Sequence, residues 1–116
     1  METLIEVKLR KVEDIMIFDF NGELDETNTD KTFTGIYDTI GDFSGKKILF
    51  NMTWLKYLNS KSIGYIADVF SNLEEKNGKM HISNCDEGVK DVLELVGITT
   101  IIPTVDTEEQ AISAMK

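Results

Sequence analysis

Short apolar runs typical of strands alternate with helical stripes along this chain, and that alternation limits the possible folds more than any other feature. The strand-like runs are residues 4–9, 14–20, 46–52, 79–83 and 99–102. Between the later runs, apolar side chains recur at the spacing of one helix face. Strands that alternate with helices pair in parallel through right-handed crossovers. The sequence therefore predicts an α/β fold with a mostly parallel sheet.

The first two strand-like runs have no helix between them. Only the polar stretch 11–13 separates them, so we expect an antiparallel hairpin. The predicted order is ββαβαβαβα, a mixed sheet with an antiparallel N-terminal strand and helices packed against it. No linker, repeat or low-complexity segment interrupts residues 1–116, so we expect one domain.

Local signals place the helix ends and the core. We expect Asn28 or Thr29 to cap the first helix, and Asn21-Gly22 to form a turn after the second strand. Apolar positions on the second and third helical stripes should be buried. They are Ile63, Ile66, Phe70, Val89, Val92 and Leu93.

The charge of the chain narrows the choice of partners. Twenty-one acidic residues against twelve basic ones give a net charge of −9. Phosphate binding needs clustered Lys and Arg, so nucleic acid and anionic membrane surfaces are not expected partners, and a protein with a basic patch is favoured. No signal peptide or membrane-length apolar run is present, and the single cysteine suits a reducing compartment. We therefore expect a cytoplasmic protein.

Residues for catalysis or metal binding are scarce. The chain has one histidine, His81, and one cysteine, Cys85, so we expect no metal site, no cofactor and no catalytic residue. His81 is expected to be an ordinary strand residue. The alternative, a Cys–His pair, has no third group to orient it. A carboxylate dyad formed by residues distant in sequence also stays open.

The segment from Tyr57 to Gly64 differs from the rest because it places two hydroxyls at the start of a predicted helix. The backbone N–H groups there lack partners, and the helix dipole is positive. In one interpretation, Asn59 or Ser60 caps the helix. In the other, a serine here accepts a phosphate, which the helix terminus would tolerate.

With these segments in view, the chain resembles the STAS domain, named for sulfate transporters and anti-sigma-factor antagonists. Residues 22–25 resemble the G-x-L-D turn of that family through Gly22, Leu24 and Asp25. Residues 57–64, YLNSKSIG, align with Y-[MI]-D-S-[ST]-G-[LI]-G, and residues 93–98 resemble L-x-x-x-G-[LI]. The resemblance covers roughly residues 4–115 in the same element order.

The resemblance implies a phosphorylation switch. In anti-sigma-factor antagonists, the first serine of D-S-[ST]-G is phosphorylated by a serine kinase that is also an anti-sigma factor, and a serine phosphatase reverses the modification. That serine corresponds to Ser60, with Ser62 as the alternative acceptor. This chain departs from the pattern at Asn59 in place of Asp, at Lys61 in place of a hydroxyl residue, and at Ser62 in place of Gly.

The same resemblance implies a partner-binding surface around the helix start. The residues expected there are Tyr57, Asn59, Ser60, Lys61, Ser62, Tyr65 and Asp68. We expect Trp54 to belong to the core, with the alternative that Trp54 and Tyr57 anchor the partner.

Two other functions remain open at this point. A STAS scaffold or sensor module in a signalling complex would keep Ser60 as a cap without phosphorylation. A small enzyme on an α/β scaffold is the other possibility, since a fold never excludes activity.

Overall fold

The five strands form one sheet in which their order follows the sequence, β1-β2-β3-β4-β5. A computed structural model describes residues 4–116. Its strands are β1 (Ile5–Val12), β2 (Ile15–Glu23), β3 (Lys47–Tyr57), β4 (Lys79–Ser83) and β5 (Thr104–Val105), and its helices are α1 (Thr29–Ile40), α2 (Ser60–Glu75), α3 (Glu87–Leu95), α4 (Ile98–Ile101) and α5 (Glu108–Met115). Strand β1 is antiparallel to β2, and every other pair is parallel. The predicted α/β class and mixed sheet are confirmed.

Strand β2 is longer than predicted because β1 continues to pair with it. Asn21 and Gly22 lie inside the ladder, where Ile5 pairs with Gly22, so the predicted turn at this point is wrong. Gly22 has a φ of +127°, and a Cβ there would lie 2.3 Å from the Leu4 carbonyl oxygen. Only glycine permits this close approach of the two strands.

The predicted fifth strand at residues 99–102 is also wrong. Most of that run lies in α4, and the strand is the shorter Thr104–Val105, which pairs with β4. Gly97 takes a left-handed conformation with φ +84° and redirects the chain into a helical turn. Ile102 N–H then donates to the Ile98 carbonyl oxygen at 2.9 Å, and both side chains are buried. Burial of these two residues overrides the local β propensity.

Alternate side chains of β2 point into two apolar layers. Ile15 and Ile17 face α5, whereas Phe18 and Phe20 belong to the larger core beneath helices α1 to α4. The Phe50 ring meets Phe20 and Phe18 edge to face, with centroid distances of 5.0 and 5.8 Å. The larger core therefore centres on these three rings.

The predicted helical core is confirmed in part. Ile66, Val89 and Leu93 are buried, whereas Ile63 and Phe70 are only partly buried against the core. The sixth member, Val92, is 38% exposed, so its placement in the core is wrong. Helix α3 packs through Val89 and Leu93, four residues apart, and Val92 lies beside that narrow stripe.

We predict that Phe50→Ala lowers the free energy of unfolding by about 3–5 kcal/mol, because the lost ring leaves a cavity in the core. Phe70→Ala should cost about half as much, since part of that ring already meets solvent. Urea unfolding followed by circular dichroism measures both. Equal losses for the two variants would contradict the placement of Phe50 at the centre of the core.

Candidate functional site

Helix α2 begins with a reciprocal pair of hydrogen bonds. Asn59 is the N-cap, and its Oδ1 accepts from the Ser62 backbone N–H at 2.9 Å. The Asn59 backbone N–H donates to Ser62 Oγ at 2.9 Å, and that hydroxyl donates to the Asn59 carbonyl oxygen at 2.7 Å. Of the two possible caps, Asn59 or Ser60, the structure selects Asn59, and Asn59 and Ser62 form a capping box.

The two serines of this segment have opposite environments. Ser62 is completely buried, so its hydroxyl is not accessible to a kinase or a partner in this conformation. Ser60 is the first residue of α2 and is exposed. Within residues 4–116 the Ser60 hydroxyl makes no hydrogen bond. One free hydroxyl therefore lies at the N-terminus of α2, where backbone N–H groups favour an anion.

The segment 22–25, where β2 ends, holds the start of α1 against the start of α2. The buried Leu24 donates its backbone N–H to the Tyr57 carbonyl oxygen at 2.9 Å. The Thr29 hydroxyl donates to the Asp25 carbonyl oxygen at 2.5 Å and lies 3.4 Å from Asn59 Oδ1. The segment that carries the G-x-L-D motif thus helps to position the candidate site.

Asp30 joins the two helix starts from the surface. Lys61 Nζ donates to its Oδ2 at 2.8 Å, and the Tyr65 hydroxyl donates to its Oδ1 at 2.6 Å. The Lys61 ammonium, followed by the Tyr65 hydroxyl, lowers the pKa of the Asp30 carboxyl. The Tyr65 ring stacks on Phe33 with centroids 4.9 Å apart and planes nearly parallel. Asp30 was not predicted, because nothing in the sequence indicated which residues of α1 and α2 meet.

Asp68 makes a similar bridge one helical turn further along. Its Oδ2 accepts from the Tyr37 hydroxyl at 2.5 Å and from Asn72 Nδ2 at 3.1 Å. Burial, together with the Asp68 carboxylate, raises the pKa of Tyr37 above its usual value. Lys61, Tyr65 and Asp68 are therefore each hydrogen-bonded to a side chain of α1.

Two large aromatic side chains stand in solvent near the end of β3. Trp54 is 61% exposed and Tyr57 is 51% exposed, so the prediction that Trp54 belongs to the core is wrong. Its neighbour Leu55 takes the buried position, and pairing of β3 with β4 stops at Asn51. Beyond that point β3 extends past its neighbour. Lys56 Nζ lies 5.8 Å from the centroid of the Trp54 ring.

The few residues suited to catalysis are in ordinary environments. His81 Nδ1–H donates to the Met80 carbonyl oxygen at 3.0 Å, and burial lowers the pKa of its ring. Burial raises the pKa of the Cys85 thiol to about 11, so the thiolate is scarce at neutral pH. Among residues 4–116, no group of three His, Cys, Asp or Glu side chains is placed to hold a metal ion.

One pair of carboxylates does meet in space. Asp19 and Glu108 both accept hydrogen bonds from the Arg10 guanidinium. Arg10 lowers the pKa of the Glu108 carboxyl, whereas a general acid at neutral pH needs a raised value. This pair therefore links β1, β2 and α5 and does not resemble a catalytic dyad.

Comparison with known proteins places the chain in a family. The family model of the STAS domain matches residues 6–111. The chain belongs to the STAS family. A relative named anti-sigma F factor antagonist, from Paenibacillus polymyxa, is 20% identical over 112 residues, which cover 97% of this chain and 96% of that protein.

Solved structures agree with this assignment at the level of the fold. An anti-sigma factor antagonist from Mycobacterium paratuberculosis has a TM-score of 0.86 at 15% identity, covering 97% of this chain and 94% of that one. The Bacillus cell fate determinant SpoIIAA in its phosphorylated form has a TM-score of 0.72 at 20% identity, covering 96% and 100%. This STAS domain thus resembles anti-sigma factor antagonists. Across the part of the chain that the structure describes, no helix is long and apolar enough to cross a membrane.

We predict that Asn59→Ala lowers the free energy of unfolding by about 1 kcal/mol, because it removes the cap of α2. Ser62→Ala should cost a similar amount, and the double variant should cost less than the sum, because the two residues share one capping box. Asn59→Asp should retain the cap. Urea unfolding measures all four variants.

The matched control is Ser71→Ala, an exposed serine in the same helix. Its effect should be close to zero. If Asn59→Ala were as harmless as Ser71→Ala, the capping box would not hold the start of α2.

Proposed function

We propose that this chain is a cytoplasmic, protein-binding regulator of the anti-sigma-antagonist type, with no catalytic activity of its own. Its partner is an anti-sigma factor that is also a serine kinase, and phosphorylation of Ser60 releases that partner until a serine phosphatase removes the phosphate. The observation that carries the proposal is the exposed Ser60 hydroxyl at the N-terminus of α2, which makes no hydrogen bond to any residue from 4 to 116. It occupies the position of the phosphoacceptor in the STAS motif.

Three findings support the choice of this surface. The exposed aromatic Tyr57 precedes Ser60, and aromatic side chains often anchor protein interfaces. Lys61, Tyr65 and Asp68 are held by hydrogen bonds to α1, so partner binding removes less side-chain freedom. The relative from Paenibacillus polymyxa is an anti-sigma F factor antagonist by name, and the Bacillus protein exists in a phosphorylated form.

A phosphate on Ser60 would be tolerated by the fold. It would add about −1.5 to −2 charges beside the free N–H groups of α2, where an anion gains about 0.3–1 kcal/mol. Lys61 is already paired with Asp30, so the phosphate would compete with that carboxylate for the ammonium. We expect the modified chain to stay folded, with the Lys61–Asp30 pair loosened.

The same phosphate would weaken binding. Burying an unpaired dianion at an interface costs several kcal/mol. A penalty of about 3–4 kcal/mol corresponds to a loss of several hundredfold in affinity. The charge of the phosphate thus destabilises the complex and leaves the free domain nearly unchanged.

A STAS scaffold or sensor module is the second candidate, and the environment of Lys61 favours it. Lys61 stands where the family has a hydroxyl residue, and its ammonium is bound to Asp30 and not directed to Ser60. Asn59 caps the helix without the negative charge of the family's Asp. In this second function Ser60 would stay unmodified.

We predict that the chain isolated from its native cells carries phosphate on Ser60 in part of the population. Intact-mass analysis and phosphosite mapping measure it, and incubation with the captured kinase and ATP should increase it. Ser60→Asp should bind the kinase with several hundredfold lower affinity. Ser60→Ala should bind it at every ATP concentration, because it cannot be phosphorylated. Ser71→Asp, which adds the same charge to an exposed serine far along α2, is the control and should bind like wild type.

Two results would contradict the switch. Phosphate found on Ser62 alone, or no phosphate after incubation with the captured kinase, would leave Ser60 without a switching role. Equal binding by the Ser60→Asp and Ser71→Asp variants would exclude the α2 N-terminus from the interface. A captured complex without any kinase would favour the scaffold function.

A further inference from the structure

The two edges of the sheet differ in their ability to accept another strand. Strand β5 has two residues, which is too short to template pairing. Strand β1 has eight residues in regular register with β2, contains no proline, and pairs on one side only among residues 4–116. A long, regular edge strand is a surface on which another strand can dock.

One hydrogen bond shows which residues of β1 bond to β2. It runs from the Glu23 N–H to the Leu4 carbonyl oxygen and is 3.3 Å long. In an antiparallel pair, residues bond to the neighbouring strand at every second position. Leu4 and the following even positions, including Glu6 and Lys8, therefore direct their backbone groups to β2. The N–H and C=O groups of Ile5, Val7 and Leu9 point outward to the open edge.

The side chains of β1 divide by the same alternation. Ile5, Val7 and Leu9 form an apolar row beside α1, and Leu9 is 41% exposed. The opposite face carries Glu6 and Lys8, whose charged atoms lie 3.8 Å apart and are largely exposed. One strand thus combines an apolar row with two opposite charges on its other face.

We propose that β1 pairs antiparallel with β1 of a second copy of this chain, about a two-fold axis at Val7, which joins the two sheets into one. In this register Val7 faces Val7, and Ile5 faces Leu9, as hydrogen-bonded pairs formed by the outward groups. Glu6 of each copy faces Lys8 of the other. The apolar rows become continuous, and the four charges alternate in sign.

Charge complementarity selects this register over its neighbours. Moving the axis by one residue places either Glu6 opposite Glu6 or Lys8 opposite Lys8, and like charges directly opposite are destabilising. Moving it to Leu9 places Lys8 opposite Arg10. An axis between two residues would face outward backbone groups with inward ones. Only the axis at Val7 pairs opposite charges within the described part of β1.

The remaining charges permit this contact. Arg10 is neutralised within its own chain by Asp19 and Glu108. The net charge of −9 opposes self-association. At about 0.15 M salt, repulsion between charges more than roughly 8 Å apart is screened, so the Glu6–Lys8 pairs at the interface decide whether two copies associate.

Sedimentation velocity of the full chain at about 0.15 M salt, over a series of concentrations, tests the proposal. The wild type should form a dimer. Glu6→Lys and Lys8→Glu should each weaken it by about tenfold or more, because two attractive cross-strand pairs become repulsive. An equimolar mixture of the two variants should restore it, since every contact then joins opposite charges. Glu75→Lys and Lys76→Glu at the end of α2 are matched charge reversals that should leave the dimer unchanged.

Different results would overturn the dimer itself and its interface at β1. A wild type that stays monomeric throughout the series overturns the proposal. If both β1 variants dimerise as strongly as the wild type, or if their mixture does not dimerise again, the pairing at β1 is overturned. Amide exchange gives an independent readout, in which Ile5, Val7 and Leu9 should become protected as the concentration rises, whereas fast exchange in the dimer would exclude a β1 interface.

Discussion

The reciprocal hydrogen bonds between Asn59 and Ser62 determine which polar groups at the start of α2 are buried and which are exposed to solvent. They satisfy backbone N–H groups that would otherwise lack partners, and they bury the Ser62 hydroxyl. Because the box uses Ser62, the exposed serine hydroxyl at the start of α2 is that of Ser60. The same Asn59 carboxamide lies within reach of Thr29 at the start of α1, so the cap also connects the two helices.

The junction of α1 and α2 then gives the surface its shape. Asp30 holds both Lys61 and Tyr65, and Tyr65 stacks on the buried Phe33. The charged side chains of Asp30 and Lys61 are thus held in place through Tyr65, whose ring packs on the core. A surface of this kind can bind a partner with little loss of side-chain entropy, and a new charge at Ser60 changes it without disturbing the core.

Periodicity and local capping signals predicted most of the fold. The alternation of strands and helices follows the spacing of apolar residues, which the sequence shows directly, and the cap of α2 is Asn59, one of the two residues expected. The errors arose where burial against residues distant in sequence decides the outcome. Residues 99–102 have strand propensity, but Gly97 and burial of Ile98 turn them into a helix.

The candidate site was predictable only as a segment. The motif at residues 57–64 located the helix start and Ser60. The contrast between Ser60 and Ser62 depends on three-dimensional hydrogen bonds, and the role of Asp30 depends on how α1 packs beside α2. Exposure of Trp54 could not be read from its neighbours, because it follows from where β4 stops pairing with β3.

The central claim is that the partner binds at the start of α2. The most direct measurement is a titration of the isotopically labelled chain with the captured partner protein, followed by the amide resonances. If the partner binds there, chemical-shift changes and line broadening should concentrate in residues 57–68 and at Asp30. Changes confined to the exposed apolar residues of the α3–α4 region, Leu95 and Ile101, with residues 57–68 unaffected, would contradict it.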